Sequence, residues 1–474
     1  MRVRLAVVGL LGLSSVTLFS GVASAGAVGG PLTISAPFSG TGEAIGCQSL
    51  SSCAILGQTL GRTGVLPLAG AWRPTGAVVT QQQPASRSSL GNQIDGLSCV
   101  SATCVGVGSV NNGVNSTLRR VDVLSNAGVW STTLLPAAHR GANVLFSVSC
   151  PSATSCTAVG TVATGARIAQ THSSITTITL GARGFASAAA VPHPTPGTVD
   201  SLTSVSCPTP NWCAAVGTTF GGAGKQWTPL IEVFNGTSWV QQPANGLTSG
   251  YLLGVSCNAP QSCVAVGSTN ALANSATKPI VVTKTAGGWD GQVLQRPGVT
   301  LNAVSCVATQ VCMAVGSQTI GLTTTPQILS DRSGSWTSET GVALPKGAYG
   351  GEWRSVTCPE ANQCHVVGTT TKAGRPFVLL ASPLGPGVRA MSPASGPSSG
   401  GTVIRLTGVN FQPGTMAHVG GVAVRPTKVL STEVLTIVAP PHAPGAVAIT
   451  LTTRFGTSSA TSTSTFTYTS PPPA

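Results

Sequence analysis

Val148-Ser-Cys-Pro-Ser-Ala-Thr-Ser-Cys-Thr-Ala-Val-Gly160 is one of seven versions of a single pattern. The pattern runs apolar residue, Ser or Thr, Cys, short polar loop, Cys, small apolar residues, Gly. The cysteine pairs are Cys47/Cys53, Cys99/Cys104, Cys150/Cys156, Cys207/Cys213, Cys257/Cys263, Cys306/Cys312 and Cys358/Cys364. Their first members follow one another at 52, 51, 57, 50, 49 and 52 residues. Self-similarity at such a period means one supersecondary unit per repeat, stacked or closed into a ring.

Within a repeat the period is that of strands. Before the first cysteine, Val alternates with small residues, as in Ser204-Val205-Ser206 and Ala303-Val304-Ser305, which marks a strand. A hairpin loop and a second strand follow, and that strand ends in Gly57, Gly108, Gly160, Gly217, Gly267, Gly316 or Gly368. A glycine at a fixed place in each repeat implies close backbone approach or positive φ. A third strand comes next, for example Pro229-Leu-Ile-Glu-Val-Phe234. A fourth is opened by an aromatic: Trp72, Trp130, Phe185, Trp239, Trp289 or Trp336.

Four antiparallel strands per repeat and seven repeats predict an all-β chain built on a seven-bladed β-propeller. The rival reading is an array of separate disulfide modules, but a lone four-stranded unit of this size is marginal. A ring lets each blade bury both faces. The seventh repeat lacks an aromatic-opened fourth strand, and Leu32-Thr-Ile-Ser-Ala36 has no other place in the scheme. This segment is therefore predicted to close the ring as the outer strand of the last blade, which covers an open edge.

From about Gly387 the repeats stop. The chain then carries Pro393-Ala-Ser-Gly396-Pro397, Gly400-Gly401-Thr402, Gly408-Val-Asn410-Phe411, Val419-Gly420-Gly421, Ala439-Pro440-Pro441, Pro444-Gly445 and Phe466-Thr-Tyr468. This succession resembles an IPT/TIG domain, and the resemblance implies an immunoglobulin-like β-sandwich. Alternation in Val447-Ala-Ile-Thr-Leu-Thr452 fits sandwich strands independently. The expected organisation is a signal peptide over 1–25, the propeller with one disulfide per blade over 26–386, the IPT/TIG domain over 387–470 and a tail over 471–474.

The leader reading rests on Met1-Arg-Val-Arg4, an apolar run to about Val22, and Ala23-Ser24-Ala25. That is a secretory signal peptide with an Ala-x-Ala cleavage site; an uncleaved membrane anchor is the rival reading. Export to the outside or the cell surface favours bridging all fourteen cysteines within repeats. Each bridge would close a very short loop, as a local staple on its repeat. Metal binding by the cysteines lacks partners, because the six histidines are scattered. Neither metal nor cofactor is expected, and no membrane span after leader cleavage.

Charged residues make up 7% of the chain, with a net charge of +13, of which Arg2 and Arg4 belong to the leader. No run of five like charges occurs, so nucleic acid is not an expected partner. A nucleophile-elbow match at Gly396-Pro-Ser398-Ser-Gly400 lies before a sandwich strand rather than on an α/β sheet, and is a chance match. Gly222-Ala-Gly224-Lys225 lacks the spacing of a phosphate loop. No catalytic residue is assigned.

One constellation points to a surface. In a propeller the loops joining strands two and three, and those joining blades, share one face, and the cysteine hairpins emerge on the other. Most propeller cations map to the first loop set: Arg62, Arg87, Arg119, Arg120, Arg140, Arg167, Lys225, Lys278, Arg296, Lys346, Arg354, Lys372 and Arg375. Trp227, Tyr251, Tyr349 and Trp353 map there too, with Asp95, Asp200 and Glu352. The bland account is that longer loops collect more polar residues. The functional account makes this the binding face, through Arg119, Arg120, Arg140, Lys225, Trp227, Tyr251, Arg296, Tyr349, Trp353 and Arg375. The expected protein is then a monomeric, non-catalytic binding or adhesion protein for a glycan, a cell-wall polymer or an extracellular protein. The alternative is an extracytoplasmic propeller enzyme of glycan lyase, glycosidase or lactonase type, which would show acidic or His clusters at the central channel.

Overall fold

The computed structural model describes residues 32–470 except 36–40, 50–51, 62–63, 73–77, 83–91, 102, 112–116, 125–129, 137–140, 164–170, 182–183, 192–198, 222–225, 271–275, 309–310, 333–334, 339–343, 345–346, 361–362, 373–374, 384–385, 410, 412–413, 427, 432–433, 454–455, 459 and 461. The leader reading lies outside the described residues. Seven antiparallel sheets follow one another along the chain and form the blades of a β-propeller. Blade 4 is typical, with an inner strand Val199–Thr209, a second strand Trp212–Gly221, a third strand Gln226–Phe234 and an outer strand Trp239–Gln242. Inner strands of successive blades touch around the ring, and that of blade 7 (Ala348–Glu360) touches that of blade 1 (Thr41–Ser49).

The ring closes as the sequence predicts. Leu32–Ser35 pairs antiparallel with the third strand of blade 7, Arg375–Pro383, with Leu32 opposite Pro383 and Ser35 opposite Leu380. Five of the six aromatics stand at the start of an outer strand as expected. Trp72 differs and ends the third strand of blade 1, Gly64–Trp72.

Seven disulfides join each inner strand to the second strand of its own blade: Cys47–Cys53, Cys99–Cys104, Cys150–Cys156, Cys207–Cys213, Cys257–Cys263, Cys306–Cys312 and Cys358–Cys364. They staple their own repeats as expected, and they lie deep. Cys104, Cys156, Cys213 and Cys364 are buried in the cores between blades, each packed against the blade before its own. Cys53, Cys263 and Cys312 are buried likewise. The reason is that the second strand runs mid-blade, covered on both faces, so the cysteine at its second position already points into an interface. The loop residues between the cysteines are exposed, such as Ala153 and Thr154 in blade 3 and Pro210 and Asn211 in blade 4, and the first cysteines Cys47, Cys99, Cys257, Cys306 and Cys358 are partly exposed. The bridges therefore contribute to the inter-blade cores as well as closing their hairpins.

Apolar burial lies between blades. Val105, Val107 and Val121 of blade 2 pack with Leu145, Val148 and Ile178 of blade 3. Met313, Val315 and Ile328 of blade 6 pack with Trp353, Val356 and Val366 of blade 7. Ile45 and Ile55 of blade 1 meet Val367 of blade 7, so the closing junction has the same kind of core.

The serine that precedes the first cysteine in blades 2 to 6 has a defined task. The backbone N–H of Cys150 donates to Ser98 of the preceding blade, and Cys207 to Ser149, Cys257 to Ser206, Cys306 to Ser256 and Cys358 to Ser305, at 2.9–3.0 Å. Each serine thus satisfies a backbone donor that faces a neighbouring sheet and has no ladder partner there. At the closing junction Ser355, three residues before Cys358, accepts from the backbone N–H of Ile45 of blade 1 at 3.4 Å.

The repeated glycine answers a close approach. A Cβ built on Gly57, Gly108, Gly160, Gly217, Gly267, Gly316 or Gly368 would stand 1.9–2.0 Å from a carbonyl oxygen of the inner strand. Positive φ is not the reason, since these seven are absent from the positive-φ residues. The carbonyl belongs in every blade to the residue six before the first cysteine, such as Ser201 for Gly217 and Thr300 for Gly316.

Beyond the ring, two sheets form a sandwich. One orders Gly387–Ser392, Val403–Val409, Val434–Val438 and Lys428–Ser431. The other runs Ser395–Pro397, Thr465–Thr469, Gly445–Thr453, Met416–Val419 and Val422–Val424. Ile404, Leu406, Phe411, Ile449, Leu451 and Phe466 fill the space between them.

Gly217→Ala is expected to lower stability by about 1–3 kcal/mol, because backbone must move to admit the methyl. Gly287→Ala, at an exposed turn whose nearest atom is 3.6 Å away, is expected to leave it within about 0.5 kcal/mol. Equal melting of Gly217→Ala and the wild type overturns the close-approach account. Deleting residues 32–35 is expected to lower the melting temperature, and unchanged melting of the deletion overturns closure by this strand.

Candidate functional site

The same crowding that selects glycine builds the central channel. Each inner strand carries a bulge four residues before its first cysteine. The register slips between Gly42 and Ala44, Ile94 and Gly96, Leu145 and Ser147, Leu202 and Ser204, Leu252 and Gly254, Leu301 and Ala303, and Trp353 and Ser355. A bulge re-aims the residue it skips. Those residues are Glu43, Asp95, Phe146, Thr203, Leu253, Asn302 and Arg354, one per blade, and all line one cavity on the ring axis with a volume of about 300 Å³.

The ring of seven is uneven. Blades 7, 1 and 2 supply charge. Arg354 Nη1 donates to Glu43 Oε2 and its Nη2 pairs with Glu352 Oε1, each at 2.6 Å. Burial opposes the Arg354 charge, but Glu43 and Glu352 outweigh it and its pKa is raised. Asp95 accepts from Gln93 Nε2 at 2.5 Å. Its carboxyl is pushed up to about 7, first by burial and then by the Glu43 charge, against the Gln93 hydrogen bond and Arg354. Blades 4 and 6 turn polar atoms to the frame: Thr203 donates to the carbonyls of Val216 and Leu252, and Asn302 to that of Trp353. Asp95 and Arg354, which the sequence scheme placed in blade-joining loops, thus stand in the channel. The scheme missed the ring because its residue types share no chemistry; the fixed distance to the cysteine was the available signal.

The loop face is less basic than expected. Arg120 is fully buried in the third strand of blade 2 (Thr117–Leu124), where its Nε and Nη2 hold Asp122 at 2.6 and 2.9 Å. Trp353 is fully buried between blades 6 and 7. Both corrections have one cause: the strands reach further toward this face than the loops read from sequence. Arg119 is held by Ser174, Thr176 and the Pro136 carbonyl, and burial lowers its pKa. Arg296 donates to Ser338 and to the Trp336 carbonyl. Lys278 donates to Gln295. Arg140 and Lys225 lie outside the described residues, and Arg375 is described by its backbone pairing with Lys372.

Aromatics remain on this face. Trp227 is 39% exposed and packs on Phe220 with ring centroids 5.0 Å apart. Its carbonyl accepts from Gly250, beside the half-buried Tyr251 that begins the inner strand of blade 5 (Tyr251–Ala259). Tyr349 is 61% exposed at the start of blade 7, and Ile320 and Leu322 are exposed in the loop between strands two and three of blade 6.

His365 is buried on blade 7, and burial lowers its pKa to about 4. With Cys47 and Cys53 it forms the one trio of potential ligands within 4.8 Å among the described residues. Those two sulfurs are joined in a disulfide, so they are not the thiolates that bind zinc.

Residues 386–468 match the family described as IPT/TIG domain. Comparison with curated proteins finds no match. Among solved structures, the chain is similar to YCF48 from Cyanidioschyzon merolae at 13% identity and a TM-score of 0.47, covering 74% of this chain and 98% of that one. It is similar to the Hadza microbial sialidase Hz136 at 9% identity and a TM-score of 0.45, covering 68% and 74%. It is also similar to the β-propeller domain of the Trilobed protease from Pyrococcus furiosus, at 8% identity and a TM-score of 0.43, covering 73% and 93%.

The Asp95 carboxyl gives a pH signature. Unfolded, an Asp titrates near 3.9; folded, this one titrates at about 7. Between those values the folded state keeps a proton that the unfolded state has released. Stability contributed by this group therefore falls as pH rises from about 4 to about 7, and the deficit persists above. Asp95→Asn is expected to melt above the wild type at about pH 8 and together with it at about pH 4. A gap that does not change with pH overturns the assignment.

Proposed function

We propose that this is an exported binding protein, secreted or held at the cell surface, whose propeller is the recognition platform for a glycan or cell-wall polymer. The IPT/TIG domain serves as a spacer or second contact, and the protein acts as a monomer. The observation that carries this reading is the exposure of Trp227 and Tyr349 on the loop face of a disulfide-stapled ring. Loops on a rigid scaffold are where ligands are met. An exposed aromatic supplies a large contact surface at little cost in side-chain entropy. Seven bridges support an oxidising compartment. No helix among the described residues is long and apolar enough to cross a membrane.

Binding is favoured over catalysis because two-carboxylate chemistry needs an acid and a base that both reach the substrate. Carboxylates at the channel, Glu43 and Asp95 with Glu352 beside them, are the feature expected of the enzyme reading, but Glu43, the second carboxylate of the channel ring, is already engaged by Arg354. The cations are not the preferred probes. Reversing Arg119 or Arg120 to Glu would break buried or half-buried contacts and report on folding rather than on binding.

The test is an array of glycans and cell-wall polymers probed with the secreted protein, followed by Trp227→Ala and Tyr349→Ala. Each substitution is expected to weaken retention on the selected polymer by roughly tenfold, the loss of a binding hot spot. Tyr349→Ala should leave the melting temperature unchanged because its ring is mostly exposed, and any drop for Trp227→Ala reports the lost contact with Phe220. Undiminished retention by the double variant removes the loop face as the platform.

A further inference from the structure

The channel is separate from the loop face and has its own chemistry. Its volume of about 300 Å³ is at the low end for small-molecule sites, enough for one small ligand and not for a polymer. The groups around it are sorted. Arg354, Glu43 and Asp95 come from three consecutive blades and form one arc; Phe146 follows Asp95 on the next blade, and Leu253 stands two blades further on, past Thr203.

The arc is acidic in a chain that is basic overall. Glu43 and Glu352 take the two Nη donors of Arg354, so its positive charge is already matched. Asp95 is then in excess. Its Oδ1 holds Gln93, and its Oδ2 lies below the surface with no hydrogen-bond partner. A buried acceptor without a donor costs its full desolvation. The terminal torsion of an Asp is soft, so a small turn that keeps the Gln93 hydrogen bond can bring that oxygen toward the channel that Asp95 lines. A cationic donor arriving there gains a charge-assisted hydrogen bond and offsets the repulsion from Glu43 that helps raise the Asp95 pKa. A metal ion fits less well. Glu43, Glu352 and Asp95 do not bring three oxygens within 4.8 Å of one another, whereas hard cations take six or more oxygen ligands. An ammonium ion needs fewer acceptors, and Phe146 and Leu253 offer its body apolar contact within a lining that is otherwise mostly polar.

We propose that the central channel binds one small organic ammonium ion, with its charge on Asp95 beside Glu43 and its apolar body toward Phe146 and Leu253. The site stands whether or not the loop face binds a polymer, because Trp227 and Tyr349 do not line it.

Three probes with one body separate the possibilities: cyclohexylamine, cyclohexanol and cyclohexanecarboxylate, titrated into the full-length protein by calorimetry near neutral pH. The amine is expected to bind saturably in the millimolar range and the alcohol about tenfold more weakly, with no uptake of the carboxylate. Asp95→Asn should weaken the amine by about tenfold. A readout on the unsubstituted protein guards against a folding defect: carboxyl NMR should show the Asp95 titration midpoint falling when the amine is added, since a neighbouring positive charge favours the ionised form. Equal binding of alcohol and amine overturns the proposal in favour of a neutral-ligand pocket. Preference for the carboxylate, full binding by Asp95→Asn, an unmoved Asp95 midpoint, or no saturable uptake of the amine overturns it outright.

Discussion

One steric contact organises this molecule: the inner-strand carbonyl six residues before each first cysteine lies against the α-carbon of the second-strand glycine. A Cβ there would sit 1.9–2.0 Å from the oxygen in all seven blades. The contact arises because the inner strand bulges at the next residue but one. The extra residue pushes the backbone toward the second strand before it and turns a side chain to the axis after it. Glycine and bulge are therefore one device. The disulfide a few residues on staples the same two strands where they turn, and holds in register the hairpin that the bulge would loosen.

Ring closure depends on this device being repeated with small residues on the inner rim. The residues three and one before the first cysteine are small in every blade, and they meet the next blade directly. A Cβ on Gly96 would come within 2.8 Å of the Ser147 α-carbon, and one on Gly254 within 2.8 Å of that of Ala303. Where a serine replaces glycine it accepts a backbone N–H from its neighbour, as Ser147 and Ser204 do from Val205 and Val255. The junction between blades 7 and 1 has to be made between distant parts of the chain. It carries bonds of several kinds: the strand ladder of Leu32–Ser35, Ser355 to Ile45, Thr369 to Gly42, and the Arg354–Glu43 ion pair.

What repeats was legible in the sequence, and what does not repeat was hidden. Cysteine spacing, the glycine, the strand count and the closing role of Leu32–Ser35 all follow from periodicity and can be read from the chain alone. How deep a cysteine sits does not follow from spacing: Cys104, Cys156, Cys213 and Cys364 read as hairpin staples yet fill space between blades. The channel residues hold a constant place in the period but share no residue type, since Glu43, Phe146 and Leu253 have nothing chemical in common. A bulge leaves no mark on alternation beyond a slipped phase. Arg120 and Trp353 misled for a related reason. Charge and aromaticity near a strand end read as loop, whereas Arg120 is neutralised by Asp122 two residues later on the same face of its strand, a spacing that alternation itself provides. Trp72 misled because blade 1 extends its third strand through the aromatic.

Variation at the bulge position has a physical meaning. Side chains there point to the axis and leave the inter-blade cores, so the scaffold places no demand on their size or polarity. Elsewhere in the inner strand such freedom is missing: the residue before the bulge fills the core in blades 2 to 7, with Gly42 in blade 1, and the one after it is small throughout. With charged residues scarce throughout the chain, placing Glu43, Asp95, Glu352 and Arg354 together at the channel goes against the overall composition. Arg354–Glu43 has a structural use at the closing junction, and Glu352 completes the guanidinium's partners. Asp95 has no such use: it lies one blade away from the junction, its burial raises its pKa, and its Oδ1 accepts from Gln93 of its own strand. A residue that destabilises its own charged form in a position where the frame would accept Thr or Asn, as blades 4 and 6 do, is best accounted for by what enters the channel.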